Sequence, residues 1–261
     1  MNTKLTVQYD GTRYLGWTRP EKDHYDKTVS FRLSSTLTKL LKEESVLFAG
    51  AKTESGVHAQ HQVVNFQSRN DFSPHNLLVE LNKFLPKDIK VLKLKTAPER
   101  FRADLNARSK TYLYHLCTTP VYDPFTISYS GHLFSEKNQL LTTSIPDIQL
   151  LNNGLDLTAM QEAAHYLMGT HNFKNFSGVK KKKGTEKEIL DLTFSKTPDF
   201  LDITLTANDF LYQMPSRMIA VLIETGLHIR KPDSIKDILE GNEKAEALCD
   251  PAGLLLKQIT Y

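Results

Sequence analysis

Residues 48–59 read Phe48-Ala49-Gly50-Ala51-Lys52-Thr53-Glu54-Ser55-Gly56-Val57-His58-Ala59, and the rest of the chain is organised around them. The apolar run Val46 to Phe48 ends at Ala49-Gly50. A polar loop then closes on Gly56 before alternation resumes at Gln62. A short strand opening into a glycine-punctuated loop is a mount for a reactive side chain, because the rigid strand fixes where the loop begins. One carboxylate, Glu54, sits in it beside Lys52 and Thr53. The fragment Gly50-Ala51-Lys52-Thr53 lacks the earlier glycine of a phosphate-binding loop, which excludes that motif. On residue types alone, the stretch also reads as a surface turn with solvated charges.

Working outward, 261 residues are enough for one broad domain or two lobes. A hydrophobic share of 40% with 24% charged residues suits a globular protein. No run approaches the ~18 consecutive apolar residues of a membrane span, so no membrane partner is expected. The opening MNTKLTVQYD has neither the apolar core of a signal peptide nor the Arg/Ser-rich character of a transit peptide. That reading gives a soluble intracellular protein and leaves cytoplasm and mitochondrion open. Cys117 and Cys249 lie far apart and suit buried thiols in a reducing compartment. His58 and His61 lack the spacing and glutamate of a zinc helix, and His171 has no second ligand at metal spacing. Neither a metal nor a cofactor is expected. A formal charge of +3 permits an RNA partner without demanding one.

Periodicity gives the elements. Lys4 to Asp10 alternates as a strand and runs into the turn Asp10-Gly11-Thr12-Arg13-Tyr14-Leu15-Gly16-Trp17. Val29 to Glu43 carries Leu33, Leu37, Leu40 and Leu41 at helical spacing. Strands follow at Gln62 to Gln67 and Ile89 to Leu94, with a helix at Asn76 to Leu85 between them. This β-α-β-β-α-β order predicts a ferredoxin-like half. Tyr112 and Tyr114 share one face of a later strand. The turn-rich stretch 119–153 is the expected connecting segment, which divides the chain into an N-terminal α+β half, 1–118, and a C-terminal one, 154–261. In the latter, Asp156 to Met168 reads as a helix, Glu188 to Ser195 and Phe200 to Ala207 as strands, and Gly253 to Tyr261 as a closing strand. Pro215 suits the first turn of a helix that continues to Gly226. Lys180, Lys181, Lys182 and Lys183 form a run that is either a solvated loop or an electrostatic clamp on RNA.

Several of these stretches together resemble the TruA-type tRNA pseudouridine synthases. FAGAKTESGVHA is similar to the family's G-R-T-D-A-G-V-H-A loop, with Lys52 for its arginine and Glu54 for its aspartate. YDGTRYLGWT resembles the signature after strand one. Phe101-Arg102-Ala103-Asp104 with Ala107-Arg108-Ser109-Lys110-Thr111-Tyr112-Leu113-Tyr114 resembles F-x-A-R…A-x-x-R-x-Y-x-Y, with Asp104 for an arginine. THNFKNF, NDFLYQMPSR and GLLLKQITY match further motifs in order, and Ser216 stands where the family carries the arginine that pairs with the aspartate. LDLTAMQEAAHYLMGTHNF and FLYQMPSRMIAVLIETGL resemble most the branch associated with mitochondria.

The resemblance implies two ferredoxin-like halves forming one continuous, mostly antiparallel sheet, with helices on one side and an RNA-binding cleft on the other. It implies isomerisation of uridine to pseudouridine in RNA, most naturally tRNA, without a cofactor, and a homodimer. Glu54 and Tyr112 take the catalytic positions. Lys52, Thr53, Ser216, Arg217, Tyr14, His58, Arg108 and the four lysines take substrate-binding ones. The departures at Lys52, Glu54, Asp104 and Ser216 leave a second reading open, an inactive family member that binds RNA in tRNA or ribosome maturation.

Overall fold

The computed structural model describes residues 1–18, 24–121, 123–134, 154–179 and 183–261. Lys180, Lys181 and Lys182, and most of the expected connecting segment, lie outside the described residues. The chain is α+β with mostly antiparallel pairing, in two compact units, each with its own hydrophobic core. Unit 1 holds Met1–Lys110 with Leu255–Tyr261, and unit 2 holds Thr111–Leu254.

In unit 1, strand β1 (Asn2–Tyr9) alternates, which buries Leu5, Val7 and Tyr9. Helix α1 (Val29–Leu41) starts where the Thr28 hydroxyl accepts from Phe31 N. It buries Leu33, Leu37 and Leu41, the stripe expected from the sequence. Strand β2 is only Phe48–Ala49, whereas β3 (His58–Gln67) begins four residues before the alternation does. Helix α2 (Pro74–Phe84) starts at a Ser73 cap with Pro74 in its first turn, and β4 (Ile89–Thr96) follows. β1 lies between β4 and β3, antiparallel to both, and β2 pairs antiparallel with β3.

Unit 2 takes up most of strand β5 (Ser109–Cys117), the short β6 (Gly131–His132), helix α3 (Leu157–Leu167) and strand β7 (Gly169–Asn172). Strands β8 (Glu186–Lys196) and β9 (Phe200–Ala207) precede helices α4 (Met214–Gly226) and α5 (Ile235–Glu240). β7, β8 and β9 form an antiparallel series, while β6 runs parallel to β5. β6 and β7 were not legible beforehand, because neither GH nor GTHN alternates in hydropathy. α4 is buried nearly all round, and Gly226 admits Met160 of α3, whose Sδ a Cβ would meet at 2.7 Å. Strand β10 (Leu254–Thr260) returns to unit 1, where Leu255 pairs with His58, parallel to β3.

Candidate active site

Within unit 1 the loop 50–58 is held from both ends and from beneath. Gly50 N donates to Val63 O at 2.8 Å. The buried Gln62 amide then does the work of a strand edge: Nε2 donates to Ala51 O at 2.8 Å, and Oε1 accepts from Ala51 N at 3.2 Å. The Thr53 hydroxyl lies 2.7 Å from the Tyr9 hydroxyl, and Thr53 O accepts from Trp17 N at 2.9 Å. Burial pushes the Tyr9 phenol well above its ordinary range, so it stays protonated at neutral pH. Glu54 is half-buried, and its carbonyl accepts from Val57 N at 3.2 Å to close the turn. Gly56, at φ 78°, donates to Tyr14 O at 3.1 Å.

The two glycines of the DGTRYLGW turn explain why it travels with this loop. A Cβ on Gly11 would sit 2.1 Å from Val57 O, and one on Gly16 would sit 2.5 Å from Thr53 O. Gly16 also has φ 94°, a conformation in which a side chain is strained. The turn and the loop are therefore packed backbone to backbone, with no room for a side chain at either contact. His58 Nδ1 accepts from Gly11 N at 3.1 Å, tying the far end of the loop to the same turn. Tyr14 donates through its hydroxyl to Asp88 at 2.7 Å, and Arg13 pairs with the same carboxylate. Lys52 is exposed and lines a cavity of about 670 Å³ with Trp17, Phe48 and Asp104.

Asp104 is paired rather than solitary. Arg102 grips it with Nε at 2.9 Å and Nη2 at 2.8 Å, and the guanidinium lies 3.7 Å over the Phe48 ring. These bonds hold the Asp104 carboxyl below its usual range. The Asp104 charge is thus balanced by a cation two residues away. Arg108 is exposed, its backbone N bonds Thr260 O at 2.9 Å, and its side chain makes no ion pair among the described residues.

Within unit 2, Tyr112 is buried and meets Phe210 edge-on, with centroids 5.3 Å apart at 86°. α4 starts at Gln213, a non-glycine residue at φ 61°, with Pro215 in the first turn. Arg217 is 8% exposed and turned into its own unit. It donates to Ala245 O and, at 3.2 Å, to Gln213 Oε1. Burial lowers its proton affinity. Ser216 bonds the segment that carries Cys249: its Oγ accepts from Cys249 N at 3.0 Å. His171 Nε2 donates to Met168 O at 2.8 Å, a structural role. Lys183 is exposed.

Sequence reasoning passed over Gln62, Tyr9 and Arg102. The first had a signal, a polar residue at an inward position of β3. The other two had none, since a buried tyrosine and a surface arginine are ordinary.

Comparison with known proteins gives one consistent result. A family model described as tRNA pseudouridine synthase matches residues 163–261. A tRNA pseudouridine synthase A 2 of Bacillus anthracis is 32% identical over all of this chain and 99% of its own length. The Clostridium tetani protein of that name is 33% identical over 100% of this chain and 98% of its own length. A tRNA pseudouridine synthase A of Bacillus sp. (strain KSM-64) is 32% identical, with 100% and 99% covered. Among solved structures, a Cbf5-Nop10-Gar1 complex aligns over 97% of this chain and 48% of that one at 9% identity and a TM-score of 0.34, too low to carry an argument.

Proposed function

The chain belongs to the TruA-type family of tRNA pseudouridine synthases, and from that premise we propose that it isomerises uridine to pseudouridine in tRNA, with Glu54 supplying the carboxylate. In this reaction the N1–C1′ bond of the target uridine breaks, the uracil turns, and C5 bonds C1′. The C5 proton is lost, and N1 ends protonated. The base serves as both leaving group and incoming nucleophile, so the protein supplies position and charge. The target leaves its stack at a cost of a few kcal/mol, offset by contacts to the rest of the RNA. Tyr112 stacks on the flipped uracil or takes the C5 proton. Lys52, Thr53, Tyr14, His58 and Arg108 bind the strand around it, and Lys180 to Lys183 bind phosphate.

The observation that supports this reading best is the mounting of the loop. Gln62, Thr53, Gly11 and Gly16 fix its backbone to within packing tolerance, and such fixing is what a charged group acting on a sugar requires. Glu54 is one methylene longer than the family's aspartate, which moves its carboxylate by up to ~1.5 Å. A misplacement of ~1 Å costs on the order of 10²-fold in rate. The reading therefore includes a slow enzyme rather than a fast one.

A second reading, an RNA-binding maturation factor without activity, is favoured by one observation. Ser216, at the family's arginine position, is engaged with Cys249, and the neighbouring Arg217 is engaged with Ala245 and Gln213. Tritium release from C5-labelled uridine in tRNA separates the two. Glu54→Gln, which removes the charge at nearly constant size, is expected to abolish release by the wild type while leaving tRNA affinity within twofold. No release by the wild type from any RNA that it binds tightly overturns the synthase. Release that survives Glu54→Gln overturns the role of Glu54.

A further inference from the structure

Unit 1 carries an unusual charge arrangement on the sheet face away from Leu5 and Val7. Alternation along β1 puts Lys4 and Thr6 on that face. Antiparallel pairing sets Lys4 directly opposite Lys95, and Thr6 opposite Lys93. Like charges directly opposite each other destabilise a sheet. No carboxylate among the described residues pairs with Lys4, Lys93 or Lys95. His61 of β3 joins them, and its Nδ1 is buried with no hydrogen-bond partner among the described residues.

These residues converge on a real cavity. Lys4, Thr6, His61, Lys93, Lys95 and Phe101 line a space of about 330 Å³ under the segment that follows β4. The cavity wall is fixed: Asn2 Nδ2 donates to Pro98 O at 2.7 Å and to Phe101 O at 2.9 Å. The Phe101 ring lies 5.1 Å from that of Tyr261, and the Lys4 ammonium is 5.0 Å and 4.2 Å from the two centroids. Burial and then Lys95 lower the proton affinity of Lys4. Burial, with smaller effects of Lys93 and Lys4, lowers that of His61. A bound anion offsets the repulsion among the three lysines and gives them the opposite charge that they lack.

We propose that this cavity is a phosphate subsite for the RNA strand, in which Lys4, Lys93 and Lys95 hold a phosphodiester and Phe101 lies against the adjoining sugar or base. The inference rests on the reading that the chain acts on RNA. It adds a contact point on strands β1 and β4, apart from the 50–58 loop in sequence and built from none of the residues assigned above. A space of about 330 Å³ suits part of one nucleotide, and an aromatic wall beside cations is the usual pairing for single-stranded nucleic acid.

The test is tRNA binding by fluorescence anisotropy over a series of salt concentrations, with the full chain. Replacing two phosphate-contacting lysines, as Lys93→Gln with Lys95→Gln, is expected to weaken binding roughly tenfold at 0.1 M salt and to flatten the slope of log K against log salt by about 1.4–1.8. The melting temperature is expected to hold or rise, since the repulsion with Lys4 is relieved. Lys93→Arg with Lys95→Arg is expected to keep the wild-type slope. An unchanged slope in the glutamine variant overturns the subsite and leaves the proposed function standing. Weakened binding that comes with a fall in melting temperature also overturns it, by making the lysines structural. A wild type that binds no RNA overturns the proposed function, and the subsite with it.

Discussion

The loop 50–58 and the start of α4 are both held by buried polar contacts, and they are held in opposite ways, the one by its backbone and the other by its side chains. In unit 1 the backbone around Glu54 is held by Gln62, Trp17 and Tyr14, and two glycines leave no slack beneath it. Asp104 is paired with Arg102. In unit 2 the Ser216 hydroxyl holds Cys249. The Arg217 guanidinium is tied to Ala245 and Gln213. Around the loop the contacts fix the backbone, while at the start of α4 the polar side chains are spent on packing within their own unit.

The sharpest way to break this contrast is at Gly16. An alanine there meets a carbonyl at 2.5 Å in a φ 94° conformation, and Gly16→Ala is expected to cost about 3–5 kcal/mol by denaturant unfolding. A loss under ~1 kcal/mol would mean that the loop yields and its mounting carries no information. Gln62→Leu keeps the volume but strands both polar groups of Ala51, an expected loss of about 2–4 kcal/mol. Pseudouridine formation in the surviving folded fraction should fall with it.

At the start of α4, Ser216→Ala is expected to cost about 0.5–1.5 kcal/mol, because Cys249 N loses its 3.0 Å bond to the hydroxyl and keeps the 3.3 Å bond to Ser216 O. A neutral result would release Ser216 from its structural role. The smallest effect is at Asp104. Its carboxyl is held below the ordinary value of 3.8, so it contributes stability that is fully present above that pH and lost as pH falls through the lower folded value. Asp104→Asn should therefore lower the melting temperature slightly at pH 7, by well under the effects above because the pair is partly exposed, and flatten its fall as pH drops below about 4.

How much of this was legible in the sequence depended on the kind of interaction. The stripe Leu33, Leu37, Leu41 and the alternation Leu201, Ile203, Leu205 announce their elements because burial repeats at a fixed period. GTHN of β7 does not, since its residues pair at an edge with little burial. The site loop was found through motif likeness, and the reasons behind the motif came only with coordinates. Gly11 and Gly16 are needed by carbonyls some forty residues further along the chain, a relation that no local pattern carries. Likewise, the Arg102–Asp104 grip spans two residues in irregular backbone, where no helical or strand spacing predicts a pair.

The return of the chain's last strand to unit 1 sets an order of assembly. Leu255 borders His58, while the Tyr261 hydroxyl reaches Ala103 O and closes against Gly50. During synthesis, the His58–Ala59 end of β3 must therefore wait unpaired on that edge while all of unit 2 leaves the ribosome. A bare edge is a template for wrong pairing. Nascent chains paused anywhere before residue 255 hold the Glu54 loop beside an unfinished border. The loop's border is completed only by residues that follow unit 2 in the chain, so its chemistry is withheld until unit 2 has been made.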